Sequence, residues 1–87
     1  MTDIQDVFDE IKRERKYEDD LHGTIEENPH TPEEWMFIMR RELLESEAAF
    51  LDLDYDNFRQ EILQVVSVGI ACLEQHGVTE RKFEPTP

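Results

Sequence analysis

Residues 55–76 read YDNFRQEILQVVSVGIACLEQH, and Gly77 follows. The centre of this stretch, Ile62 to Leu73, is apolar nearly all round. Its β-branched residues (Ile62, Val65, Val66, Val68, Ile70) would also suit a strand. Length decides for a helix, since no proline or turn cluster interrupts the run before Gly77, a standard stop signal. A helix that is hydrophobic on every side must be buried on every side. Two further helices in a chain of 87 residues can scarcely cover it. The expectation is an all-α bundle of about three helices per chain, completed by oligomerisation, with this helix in the middle.

Working outward, Asp52 to Asp56 is a connection in which Asp54 is a candidate N-cap. The preceding helix has clear punctuation at its start. Thr31 is the N-cap, Pro32 takes the first helical position, and Glu34 completes a capping box. Trp35, Ile38, Met39 and Leu43 form its apolar stripe, continued by Phe50, and the helix runs to about Leu51. Thr24 to His30 is a polar loop closed by Asn28-Pro29. An earlier helix opens at Thr2, where Thr2 and Gln5 have capping-box spacing. Its stripe is Ile4, Val7, Phe8 and Ile11, and it ends near His22-Gly23. Residues 1–77 thus make a single helical domain, and residues 78–87, charged and with two prolines, a C-terminal tail.

Composition narrows the function. The chain has 22 acidic and 9 basic residues, a formal charge of −13. Such a surface repels nucleic-acid polymers and anionic membranes but accepts divalent cations, and through them phosphates. Most of the acids read as a solvated surface. The single cysteine, Cys72, allows no intrachain disulfide and reads as a buried, inert thiol of a reducing compartment. Met1 to Asp9 is mixed and acidic, unlike a signal peptide, and Val65 to Leu73 is too short to span a bilayer. A soluble, cytoplasmic protein is expected, with no membrane partner.

Three carboxylates stand out. Glu42 and Glu45 share one helix face beside the apolar stripe. Glu61 begins the most hydrophobic helix, with Gln64 one turn further along the same face. Antiparallel packing through a short connection would turn both pairs into one space. Close, buried carboxylates repel and are costly to desolvate, so they persist where a cation neutralises them. Oxygen-only donors suit a hard ion, Mg²⁺ or Mn²⁺. Glu at i, i+3 is also common on ordinary helix surfaces. Asp52, Asp54 and Asp56 read as turn formers, and Glu34 and Glu47 as capping or surface acids.

The run Arg41-Glu42-Leu43-Leu44-Glu45, fifteen residues, then Glu61-Ile62-Leu63-Gln64 resembles the metal-binding signature of the all-α nucleotide pyrophosphohydrolases of MazG type, EExxE followed by ExxD. HTPEEWMFIMRRELLESEAAF and FRQEILQVVSVGIACLEQHG are similar to the second and following helices of small, phage-type members. The basic IKRERKY stretch resembles their arginine-rich first helix. The resemblance covers about residues 10 to 77. Arg41 stands where the family usually has its first Glu, and Gln64 where many members have Asp. Glu47 or one of Asp52, Asp54 and Asp56 is then a candidate for a missing ligand.

The resemblance implies a MazG-like bundle, a homodimer or homotetramer, that cleaves nucleoside triphosphates to the monophosphate and pyrophosphate. It implies Mg²⁺ or Mn²⁺ held by Glu42, Glu45, Glu61 and Gln64, with Glu45 or Glu61 as general base. By analogy the substrate is a deoxynucleotide, a purine such as dGTP, in a host cytoplasm if the gene is a phage's. Lys12, Arg13, Arg15, Lys16, Arg40, Arg41 and Arg59 are the candidate triphosphate partners, although each also reads as a solubilising charge. Trp35 or Tyr17 would stack on the base, and for Trp35 core packing is the stronger reading. Two alternatives remain: an acidic, non-enzymatic interaction protein, such as a DNA mimic or inhibitor, and a degenerate member that binds nucleotide without turnover.

Overall fold

The structure, a computed structural model, describes residues 1–85. It holds three α-helices and, among the described residues, no strand: α1 (Ile4–His22), α2 (Pro32–Leu51) and α3 (Tyr55–His76). None is long and apolar enough to cross a membrane. Residues 78–85 follow α3 without regular structure, and the rest of the expected tail, residues 86 and 87, lies outside the described residues.

Local chemistry explains the boundaries. At α2 the Thr31 side chain accepts from the Glu34 N–H, and the Glu34 carboxylate accepts from the Thr31 N–H, the expected capping box. Asp54 caps α3 by accepting from the Asn57 N–H. Gly23 and Gly77 end α1 and α3 at φ of 90° and 93°, where a Cβ would be strained. One boundary differs from expectation. Asp3, not Thr2, caps α1, its Oδ1 accepting from the Gln5 N–H at 2.7 Å. The Gln5 side chain instead turns forward to Asp9. An ionised carboxylate is a stronger acceptor than a hydroxyl and also faces the positive end of the helix dipole.

The α2–α3 turn is a Schellman motif. Leu53 donates to the Phe50 carbonyl and Asp54 to the Ala49 carbonyl. That motif needs a left-handed residue, and Leu53 supplies it at φ 61°. The two helices then run back side by side. Phe50 meets Phe58 near the turn, Met39 lies over Gly69, and Trp35 reaches Gln75 at the far end. Small residues line the contact: Ser46, Ala49, Ser67 and Ala71 are all nearly inaccessible. The core proper is Trp35, Val68 and Ala71, flanked by Ile25, Ile38, Met39 and Cys72.

Helix α1 packs on α3 and not on α2, so α3 is the middle helix. Arg15 fastens it. This arginine is buried, its Nε and Nη2 donating to the two carboxylate oxygens of Glu74 on α3. Within the single chain α3 is not covered on every side. Val66, Ile70 and Leu73, one face by their spacing, are 41%, 36% and 49% exposed. The α1 stripe of Ile4, Val7 and Phe8 is open too, as are Met36, Phe37, Leu43 and Leu44 on α2.

Candidate metal centre

The short Schellman turn brings the three expected carboxylates together. One oxygen from each of Glu42, Glu45 and Glu61 falls within 4.8 Å of the others. Glu42 and Glu61 are partly buried and Glu45 is exposed. Glu42 Oε2 and Glu61 Oε2 are inaccessible and have no hydrogen-bond partner. Such orphaned acceptors are uncommon in folded proteins. Desolvation first, and the Glu45 carboxylate second, push both Glu42 and Glu61 above the ordinary carboxylate range. Arg41 partly offsets this at Glu42, its Nη2 lying 3.9 Å from Glu42 Oε1.

A hard cation fits this donor set. It would give both orphaned oxygens a partner and turn mutual repulsion into shared attraction. Gln64 is half-buried one turn beyond Glu61 and lines the same cavity as Glu42, where its side-chain carbonyl is a further oxygen. Among the described residues no other group of His, Cys, Asp or Glu gathers in this way. Glu47, Asp52, Asp54 and Asp56 are exposed and not part of the cluster; Asp54 caps α3 and Asp56 pairs with Arg59.

Beside the cluster lies a cavity of about 500 Å³. It occupies the space between α1 and α2, floored by Gln64, Val68 and Ala71 of α3 and closed at one end by Gly23 to His30. Its size is that of a small-molecule site. The loop at its end is pinned by Gln75. That side chain accepts from the His30 N–H and Trp35 Nε1–H, and donates to the His30 carbonyl.

The candidate substrate residues are placed unequally. Trp35 is 6% exposed, packs in the core, meets His30 edge to face and contributes to the cavity wall. Arg15, Tyr17 and Arg41 also line the cavity. Arg13 is paired with Glu10, Lys16 with Asp20 and Arg59 with Asp56, all on exposed faces; Lys12 is exposed as well, and none of the four lines the cavity. Arg40 borders a different, apolar groove with Met36, Phe37 and Leu43.

Two acids went unnoticed in the sequence. Glu14 and Glu18, one turn apart on α1, both line the cavity. Glu14 also adds to the repulsion felt by Glu61. Their i, i+4 spacing on one face of α1 was the available signal, masked by the many charges of that helix. Compared with protein-family models, curated proteins and solved structures, the chain matches none.

Proposed function

We propose that this chain is a divalent-metal-dependent nucleoside triphosphate pyrophosphohydrolase of MazG-like type. The observation that carries the reading is the pair of buried, unpartnered oxygens on Glu42 and Glu61, gathered with Glu45 at the edge of a nucleotide-sized cavity. Glu42, Glu45 and Glu61 would hold the cation, Mg²⁺ or Mn²⁺, with Gln64 beside them. When bound, the cation neutralises phosphate charge and makes water a better nucleophile at neutral pH.

The chain's own residues complete the chemistry. Water attacks the α-phosphorus, forming one P–O bond as the α–β bridging bond breaks, and pyrophosphate leaves. Glu45, the exposed carboxylate of the three, accepts the water's proton, with Glu61 next in line. Arg41, on the cavity wall, is the cation placed to meet phosphate oxygens. The base occupies the cavity.

Uncovered apolar surface favours a homo-oligomer. The accessible area is 7356 Å², against about 5,400 Å² expected for a folded monomer of this mass. Part of the excess belongs to residues 78–85. The rest includes the open faces of α2 and α3, which suit a second copy. The inward placement of Glu42 and Glu61 counts against a purely acidic mimic, which needs its charges outside.

The test is pyrophosphate release from each NTP and dNTP with Mg²⁺, Mn²⁺ or EDTA. Metal-dependent release is expected, abolished in Glu42→Gln and Glu61→Gln while the helical circular-dichroism signal stays. No release from any nucleotide would refute the enzyme reading. Binding without release would mark a degenerate nucleotide-binding protein.

A further inference from the structure

The first half of α1 is an arm. Every residue from Met1 to Glu10 is exposed, and Ile11 is the first to be partly covered. Ile4, Val7, Phe8 and Ile11 nevertheless share one helix face, an amphipathic stripe that the chain itself leaves open. Arm and tail extend the molecule: its radius of gyration is 14.7 Å, against about 12 Å for a compact domain of this length. A second open feature lies on α2. Met36, Phe37, Met39 and Leu43, with Val65 of α3, line an apolar groove of about 660 Å³. The helical repeat puts this groove on a different face of α2 from Trp35, Ile38 and Glu42, which line the cavity that α1 walls. Helix α1 stands on the cavity side, so the groove is left to an occupant from outside the chain.

We infer that the α1 arm of one chain seats in the α2 groove of a second copy, and that the exchange is reciprocal. The inference rests on the second-copy reading above and needs neither metal nor nucleotide. The two surfaces match in length. Ile4 to Ile11 and Met36 to Leu43 each span two helical turns, about 10 Å. They also match in charge. The arm carries Asp3, Asp6, Asp9 and Glu10 with no basic residue before Lys12. Arg40, the cation of the groove, forms no ion pair among the described residues. Glu33, the acid of the groove, lies two turns from it. An apolar helix face laid in an apolar groove is a recurring mode of recognition. Two such contacts about a two-fold axis close the pair and leave neither surface open. The consequence reaches the cavity. Helix α1 walls it with Glu14 and Glu18 yet packs on α3 alone, so a second copy that holds the arm also fixes that wall.

Two measurements on the full chain test this. In the first, Val7→Cys and Leu43→Cys proteins are mixed, allowed to exchange subunits and treated with a short bismaleimide. Linked peptides are identified by mass spectrometry, so Cys72 stays in place. A link from position 7 of one variant to position 43 of the other is expected. Links only between like positions or through Cys72, or no link at all, overturn the inference. In the second, sedimentation equilibrium compares the native chain with Phe8→Asp on the arm, Phe37→Asp in the groove and Leu53→Asp at the α2–α3 turn. All three positions are exposed, so the fold should tolerate each change. Phe8→Asp and Phe37→Asp should each weaken association by about tenfold or more, and Leu53→Asp should leave it unchanged. A monomer throughout, association that survives both substitutions, or equal weakening by all three overturns the inference. Neither measurement uses nucleotide or metal. Failure here therefore leaves the hydrolase reading standing, and absence of pyrophosphate release leaves the arm exchange standing.

Discussion

At the scale of single residues, several groups are held in costly states. Glu42 and Glu61 sit above their ordinary range through desolvation and the nearby Glu45, and Glu18 reaches about 7 through desolvation. For a carboxylate raised on folding, ionisation disfavours the folded state. The penalty is absent below the unfolded value near 4.5 and complete above the folded one. The metal-free protein should therefore lose thermal stability as pH rises from about 5 to 8. Glu27 and Glu34 are lowered instead, so their contribution disappears only on the acid side of that window. Melting in EDTA at stepped pH checks this, and Glu42→Gln should flatten the fall. A melting temperature rising over that interval would contradict the placement of these acids. Ser67 gives a simpler case. It is fully buried with its Oγ unpartnered, whereas Ser46 donates to the Glu42 carbonyl. Ser67→Ala should be stabilising, by about 1 kcal/mol in a denaturant titration, because it removes a desolvated hydroxyl and improves helix propensity. Ser46→Ala should gain less.

At the scale of elements, the boundaries were largely legible because capping is local chemistry. Thr31, Pro32 and Glu34 lie within four residues, and Gly23, Asp54 and Gly77 act on their immediate neighbours. The carboxylate cluster was legible for a related reason: a short connection forces α2 and α3 antiparallel, and spacing alone then juxtaposes Glu42, Glu45 and Glu61. The roles of Gln75 and Glu74 were not legible. Gln75 meets Trp35 across 40 positions, and Glu74 meets Arg15 across 59. No local pattern encodes such pairs, and with them went the orientation of α1, and so the cavity and Glu18. The turn itself holds a testable strain. Leu53 is 71% exposed and left-handed, a conformation that costs a side-chain-bearing residue roughly 1–2 kcal/mol. Leu53→Gly should raise stability by up to about 1 kcal/mol after the glycine's own entropy cost. Leu53→Ala, which keeps the Cβ, should not. Equal effects of the two would mean that the turn is not strained.

At the scale of the whole molecule, an apolar middle helix, an open second helix and an excess of accessible surface belong together. If a second copy covers the Val66, Ile70 and Leu73 face, the melting temperature should rise with protein concentration. Salt should favour that association, since it screens the repulsion between two chains of charge −13. Sedimentation equilibrium across a concentration series reads both, and a monomer throughout would remove the second copy from the account. The metal centre is the claim on which the enzymatic reading depends, and its most direct test needs no substrate. Mn²⁺ is titrated into the full chain and followed by the electron paramagnetic resonance signal of the free ion, beside Glu61→Gln and the surface control Glu47→Gln. Saturable binding by the native chain and by Glu47→Gln, weakened at least tenfold in Glu61→Gln, is the predicted result. Identical titrations for all three proteins would contradict it.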